Sequence, residues 1–316
     1  MNVWVLVERG LTGTENQCLG VCDSLGVTPV MKRFTLKQPW KSVSPYLNLG
    51  ISHGYEGDAL TGPWPDVLIA GGRKAAGLAL WVKRASRGKT LVVCLQDPRA
   101  RRGAFDLIAV PAHDPARGRN VIVTTAAPNR ITPERLYRAR KTWERQLEHL
   151  RHPRVAVLIG GNSKAYTLSG TIAGGLGESL KKLATDGAGM MVTASRRTGS
   201  DNLAILQAWL KDTGAFVWDG KGENPYEGFL ALADVILVTA DSVSMMSEAA
   251  STGKPVYRID LEGGAPRLNK FHAKLELDGI ARPFLGTIEN WTYTPLRDSE
   301  IVAAAIRERL NSAGRL

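Results

Sequence analysis

Residues 233–257, ADVILVTADSVSMMSEAASTGKPVY, hold the groups best suited to binding an anion beside a sugar. An apolar run ends in Thr239-Ala240-Asp241-Ser242, a helix carrying Ser244 and Glu248 follows, and Gly253-Lys254-Pro255 leads into another apolar run. Ser242 and Ser244 fall at the helix start, where unbonded N–H groups and the helix dipole favour a phosphate. Glu248 lies about one and a half turns further on, among small and apolar neighbours, where a carboxylate is costly unless it meets a hydrogen-bond donor. The two hydroxyls of a ribose are such a donor pair. The pattern reads as a nucleotide-diphosphate site, with an ordinary strand-to-helix turn as its plain alternative.

Two further stretches have matching chemistry. In VAVLIGGNS, residues 155–163, a buried strand ends in Gly160, Gly161, Asn162 and Ser163, whose bare backbone would let an anion approach closely. It is neither G-x-G-x-x-G nor a Walker loop, so it carries no dinucleotide or P-loop signature. In TASRRT, residues 193–198, Ser195, Arg196 and Arg197 follow a strand, and a guanidinium offers a planar fork for phosphate or carboxylate. Two solvated loop arginines are the alternative there.

In the first half, polar groups again follow apolar runs: Gly13, Glu15, Asn16 and Gln17; Gly72 and Arg73; Asp97 and Arg99; His113 and Asp114. Asp97 and Asp114, then His113, are candidates for a base that takes a proton from an acceptor hydroxyl. Each is also a common turn or cap residue, and Glu15 at a helix start has a plain capping explanation.

These groups need a scaffold that brings strand ends together. Short apolar runs rich in β-branched residues occupy 3–7, 29–34, 66–70, 90–95, 105–110 and 120–123, then 154–159, 190–194, 215–218, 235–239 and 255–259. They alternate with segments of helical period, and runs such as VAVLIG and DVILVT suit parallel strands covered on both faces. The chain is therefore expected to be α/β, two Rossmann-like domains in tandem with a cleft between them. Thr132-Pro133 opens a helix running to about residue 150, where the boundary is placed: an N-terminal domain, 1–150, and a C-terminal domain, 151–316. A last helix, 298–311, is expected to be able to pack back on the first domain.

The 316 residues carry 41 Lys+Arg against 30 Asp+Glu, with 44% hydrophobic residues, an ordinary balance for a folded soluble chain. Cys18, Cys22 and Cys94 are too few for a disulfide scaffold and lack metal spacing, so no metal is expected and a reducing, cytoplasmic compartment fits. No apolar run approaches the ~20 residues that span a bilayer, and the opening MNVWVLVERG has no basic flank of a signal peptide. The charge is uneven. Residues 1–154 hold 24 Lys+Arg and 12 Asp+Glu, against 17 and 18 in residues 155–316. Basic groups cluster at Arg84, Arg87, Lys89, Arg99, Arg101 and Arg102, and again at Arg135, Arg138, Arg140, Lys141 and Arg145. Such a half suits an anionic membrane surface or glycolipid, with Trp40, Trp64 and Trp81 as candidate interfacial anchors, or simply a solvated basic face. It has no nucleic-acid-binding motif, so no nucleic acid is expected.

The 233–257 motif resembles the donor site of GT-B glycosyltransferases, such as the lipid-A-disaccharide synthase and peptidoglycan glycosyltransferase groups. This resemblance implies a C-terminal domain that binds the nucleotide-sugar and an N-terminal domain that binds the acceptor. It assigns Ser242 and Ser244 to the diphosphate and Glu248 to the ribose. Many members have Ser-Gly where this chain has Ala240-Asp241. A second resemblance covers nearly the whole chain. It joins Gly13-Thr14-Glu15-Asn16-Gln17, Pro65-Asp66, Gly71-Gly72-Arg73, Gln96-Asp97-Pro98-Arg99, Pro111-Ala112-His113-Asp114, Ala127-Pro128-Asn129-Arg130, residues 160–163 and Asn224-Pro225-Tyr226. In that order they resemble the mitochondrial fission family named after a plant protein of elongated mitochondria, which has many bacterial members. Its plant member is linked to recruiting a dynamin-related protein at mitochondria, a role not expected of this two-domain chain.

Together these readings make the expected activity transfer of a sugar from a UDP- or GDP-linked donor to an envelope or membrane-associated glycan or glycolipid. The nucleotide-sugar is then substrate, no separate cofactor is needed, and no D-x-D triplet marks a metal site. The expected location is cytoplasmic, peripheral at the inner face of the plasma (inner) membrane. A non-catalytic membrane adaptor on the same fold and a nucleotide-sugar epimerase are the alternatives, and the oligomeric state is open.

Overall fold

The apolar runs form two main sheets, one in each of two units. The computed structural model describes residues 1–312 and 314. The first unit comprises residues 1–130 and the chain from Arg297 onward; the second comprises Ile131–Leu296. Residues 131–150, read from sequence as the end of the first domain, thus belong with the second unit.

In the first unit the elements are β1 (Val3–Glu8), α1 (Thr12–Leu25), β2 (Val30–Leu36), α2 (Trp40–Val43), β3 (Tyr55–Gly57), β4 (Val67–Gly71), α3 (Ala75–Ala85), β5 (Leu91–Leu95), β6 (Leu107–Pro111) and β7 (Val121–Thr124). Their sheet has the order β3-β2-β1-β4-β5-β6-β7, parallel apart from the edge strand β3. Alternation along β1 explains its cover on both faces. Val3, Val5 and Val7 join one buried cluster with Cys18, Val21 and Cys22 of α1. Trp4 and Leu6 join another with Leu78 and Val82 of α3.

The second unit contains α4 (Pro133–Trp143), β8 (Arg154–Ile159), β9 (Tyr166–Thr167), α5 (Gly170–Thr185), β10 (Gly189–Ala194), α6 (Ser200–Leu210), β11 (Phe216–Val217), α7 (Tyr226–Leu232), β12 (Val235–Thr239), α8 (Val243–Ala250), β13 (Val256–Ile259), β14 (Glu262–Gly263), α9 (Pro266–Leu277) and β15 (Ala281–Pro283). Six parallel strands run in the order β11-β10-β8-β12-β13-β15, and β9 and β14 form a separate antiparallel pair. Thr132 caps α4 by accepting the Arg135 N–H at 3.2 Å, with Pro133 in the first turn. The helix packs on α7, where the Trp143 ring fills the space beside Gly228, and Arg135 pairs with Glu227 at 2.6 Å. Those contacts place α4 in the second unit.

The last helix, α10 (Asp298–Ser312), belongs to the first unit. Val302, Ala303, Ile306 and Leu310 complete the cluster under α1. Buried Asp298 accepts the N–H groups of Thr125 and Ala126 at 3.0 and 2.9 Å, and the Ser299 hydroxyl accepts the Asn129 N–H at 2.8 Å. The tryptophans expected as surface anchors are otherwise employed. Trp64 lies between Trp4, tilted against it, and Trp81, met edge-on, with ring centroids 6.1 and 6.0 Å apart, and both Trp64 and Trp81 pack against the core.

In both sheets the chain begins on a central strand, builds to one side and then crosses to the other. The neighbours at that switch are β1 and β4 in the first unit, β8 and β12 in the second. Open α/β sheets bind ligands in the crevice outside the carboxyl ends of such strands.

Candidate functional site

The switch point of the second unit is built from the three stretches singled out by their chemistry. Gly160 and Gly161 follow β8, Ser195, Arg196 and Arg197 follow β10, and Thr239, Asp241 and Ser242 follow or end β12. Ties between the loops hold them in place. The Gly160 N–H donates to Thr239 Oγ1 at 2.7 Å, while the Gly160 carbonyl accepts from Ser195 Oγ at 2.7 Å and Thr198 Oγ1 at 2.6 Å. The Asn162 N–H donates to the Arg197 carbonyl at 3.0 Å. Gly161 has a φ of +134°, and a side chain there would meet the Arg197 carbonyl carbon and oxygen, so only glycine fits.

Asp241 is the unusual member. Its side chain is fully buried and its carboxylate lies where a side chain on Gly160 would be, 2.3 Å from an ideal Cβ. Neither oxygen receives a well-angled hydrogen bond; the charge is met by Arg197 Nη2 at 2.8 Å. The backbone beside it is held by His272 of α9, whose Nε2 lies 2.9 Å from the Ala240 carbonyl. Burial pushes His272 down to about 4, so the ring is neutral and Nε2–H is the donor.

Ser242 caps α8, its hydroxyl accepting the Met245 N–H at 3.3 Å. Its oxygen is thus engaged with its own helix, while Ser244 sits partly exposed in the first turn. Glu248 accepts a hydrogen bond from the Tyr226 hydroxyl at the start of α7. Burial raises the Glu248 carboxyl to about 7; neighbouring Glu227 raises it further, and the Tyr226 bond and Arg135 oppose the rise. Burial likewise raises the Tyr226 phenol well above its ordinary value, so it remains a donor. Asn162 and Ser163 turn their side chains onto their own loop: Asn162 Oδ1 accepts the Leu168 N–H, and Ser163 Oγ accepts the N–H groups of Ala165 and Tyr166. Arg196 is exposed.

A second set of polar groups collects at the carboxyl edge of the first sheet. Gly13, Glu15, Asn16 and Gln17 lie in the opening turns of α1, after β1. Gln96, after β5, donates from its side chain to Gln17 Oε1 at 3.1 Å, and the Gly72 N–H donates to the Leu95 carbonyl at 3.0 Å. Glu15 is bound by Arg33 through two hydrogen bonds of 2.6 and 3.1 Å. Arg73 is exposed. Gln96, Arg99 and Arg101 have φ values of +75°, +66° and +51°, a left-handed cluster of non-glycine residues within six positions.

The same loop decides what Asp97 can do. Its buried carboxylate receives Arg102 Nε at 2.9 Å and Nη2 at 2.7 Å, and the Arg99 N–H at 2.9 Å. The Arg102 bond holds the carboxyl below its ordinary range. A carboxylate so engaged is a weak base, and the geometry suits it to holding the loop. His113 and Asp114, both buried, follow β6.

Sequence reasoning did not assign Tyr226, Thr198, His272 or Arg102. Tyr226 stood in a recognised motif, but its bond to Glu248 spans 22 positions. Thr198 closed the TASRRT stretch and was passed over for its arginines. His272 had no local signal, since Ala240, 32 positions away, is brought to it by the fold, whereas Arg102 stood in the basic cluster only five positions from Asp97.

A family sequence profile described as "Mitochondrial fission ELM1" matches residues 12–310. The chain belongs to the mitochondrial fission ELM1 family. The Mitochondrial fission protein ELM1 of Arabidopsis thaliana is 27% identical over 390 residues, covering 98% of this chain and 91% of that protein. Among solved structures, this ELM1-family chain is similar to a UDP-GlcNAc 2-epimerase from Neisseria meningitidis bound to UDP-GlcNAc, with a TM-score of 0.53 and 13% identity. That match covers 99% of this chain and 100% of the epimerase. MurG of Acinetobacter baumannii gives a TM-score of 0.50 at 13% identity, covering 100% and 93% of the two chains. The fold of this ELM1-family chain is GT-B-like, shared with glycosyltransferases and UDP-GlcNAc epimerases. Among the described residues no helix is long and apolar enough to cross a membrane.

Proposed function

We propose that this ELM1-family chain is a glycosyltransferase that takes a sugar from a nucleotide-diphosphate donor and passes it to a membrane-associated or envelope glycan acceptor. The observation that supports the donor is the convergence, at the β8–β12 switch point, of the Gly160-Gly161 turn, Arg196 and Arg197, and the start of α8 carrying Ser242, Ser244 and Glu248. The N. meningitidis epimerase, bound to UDP-GlcNAc in the same fold, favours a uridine-linked sugar over other nucleotides.

In this reading the diphosphate lies against the α8 N-terminus, with Ser244 and Arg196 as donors, and Glu248 accepts from the ribose. As the bond to the sugar breaks, negative charge gathers on the leaving diphosphate, and prealigned N–H groups and guanidinium stabilise it there. The acceptor lies on the first unit, along Gly13, Glu15, Asn16 and Gln17, Gly72, Arg73 and Arg99. Asp114 or His113 takes the proton of its hydroxyl. Association with the membrane is peripheral, at its cytoplasmic face.

Thermal-shift titration with UDP, GDP, CMP and ADP-sugars tests the donor. The expected result is stabilisation by one nucleotide class, weakened by Glu248→Ala. No shift with any of them would overturn the enzyme reading, and unchanged affinity in Glu248→Ala would remove the ribose contact.

A further inference from the structure

The loop between α2 and the 51–53 turn is folded inside out. Ser44 and Asn48 are 9% and 8% exposed, whereas Tyr46, Leu47 and Leu49 are 69%, 58% and 85% exposed. Globular surfaces bear single apolar side chains routinely, but three within four residues form a patch, and patches mark interaction sites. The loop is held in this form. Asn48 Nδ2 donates to the Pro45 carbonyl at 2.7 Å, Trp40 Nε1 donates to the Leu49 carbonyl at 2.9 Å, and Asn48 packs on α3 at Gly77. Trp40 thus supports the loop from within.

We propose that residues 37–49 dock this protein on an anionic lipid surface, with Tyr46, Leu47 and Leu49 entering the headgroup boundary. Charge and size both favour this occupant. Residues 37–55 contain Lys37 and Lys41 and no Asp or Glu, and both lysines are exposed. Lys37 pairs with the exposed Glu56 at 3.4 Å, a contact that a lipid phosphate can replace. Arg84 stands two helical turns along α3 from Gly77, on the side where the loop packs, and is exposed. Lysine beside leucine and an aromatic ring is interfacial chemistry, in which apolar burial adds to attraction for acidic headgroups. A stable protein partner needs ~800 Å² from each side, more than three side chains offer, whereas a bilayer needs only a few inserted groups. The inference supplies the contact for the membrane-associated acceptor proposed above, and rests on that reading only for its purpose.

The test compares sedimentation of the full chain with phosphatidylglycerol-containing and pure phosphatidylcholine vesicles. Wild type should bind the anionic vesicles, less so at high salt. The double variant Leu47→Ser/Leu49→Ser should bind at least about tenfold more weakly. Leu285→Ser, at a position 82% exposed in the second unit, should bind like wild type. Thermal melts check that the variants fold, and nucleotide-induced shifts should be unchanged in all of them, so loss of vesicle binding is separable from failure of the donor site. Wild-type binding equal to that of the double variant, or no binding to either vesicle, overturns the proposal. So does a patch whose substitution changes only self-association or capture of a protein partner.

Discussion

Glu248 links the candidate donor site to pH in a way that stability measurements can read. Its carboxyl is raised from an ordinary 4.5 to about 7, first by burial. Between those values the folded chain keeps a proton that the unfolded chain has released. The folded state is therefore stabilised relative to high pH below 4.5, loses that advantage as pH climbs, and levels off above 7. A shift of this size corresponds to roughly 3 kcal/mol. Because Glu248 keeps some solvent contact, about 2 kcal/mol is the expected loss after screening. The perturbation is Glu248→Gln, which has no proton to lose and still offers Oε1 to the Tyr226 hydroxyl. Melting both proteins from pH 5 to pH 8 gives the answer. The variant should gain on wild type by about 2 kcal/mol across that range, a few degrees in the melting of a unit this large. His272, pushed down to about 4, acts with the opposite sign between 4 and 6.5, but it is common to both proteins and cancels in the difference. A wild-type-to-variant difference that stays flat with pH would refute the assigned burial of Glu248. The same titration bears on ligand binding: hydroxyls that donate to the ionised carboxylate bind more tightly as pH rises through 7, by up to about tenfold per unit below it.

Gly160→Ala puts a methyl group against the Asp241 carboxylate and should cost about 1–3 kcal/mol in chemical denaturation. Combined with Asp241→Ala it should cost less than the sum of the two single changes, and strict additivity would show that the close approach is unimportant. Arg102→Ala strips two hydrogen bonds from buried Asp97 and should destabilise the first unit by about 1.5–3 kcal/mol at neutral pH, with little rescue by Arg102→Lys, which lacks the planar fork. A loss below about 0.5 kcal/mol would show that the pair does not hold the loop.

Much of the architecture was legible because a covered parallel strand has a distinctive composition. The runs VAVLI and VILVT become β8 and β12 over the residues that the apolar pattern marked. The elements missed are those whose partner supplies the signal. Glu262-Gly263 and Ala281-Arg282-Pro283 carry glycine or proline in two or three residues, and only pairing with β9 and β13 makes them strands. Residues 131–150 showed an apolar stripe, but a stripe states that one face is buried and not what buries it; for α4, which ends at Trp143, α7 does so, and the boundary moves with it. The candidate donor residues were readable by type and by their place after strands. The bond between Tyr226 and Glu248 and the burial of Asp241 against Gly160 depend on loops from different strands meeting, which no local pattern reports. Trp64 and Trp81 show the converse, since composition offers the same tryptophan whether it anchors a membrane or packs on Trp4.

The first unit bears on the choice among transferase, epimerase and scaffold. A donor site in the second unit is common to the first two, so they part company over whether the first unit serves a second substrate. Gln96, Arg99 and Arg101 hold left-handed backbone without glycine, each at a cost of order 1 kcal/mol. Such conformations persist only where the surroundings impose them, and here the Asp97–Arg102 pair and the Gln96–Gln17 bond do so. A scaffold has no need to hold three costly residues at the carboxyl edge of a sheet, beside a buried Asp114 and His113. A site that orients an acceptor hydroxyl does. On the transferase reading proposed above, this held loop is where the first unit orients its acceptor.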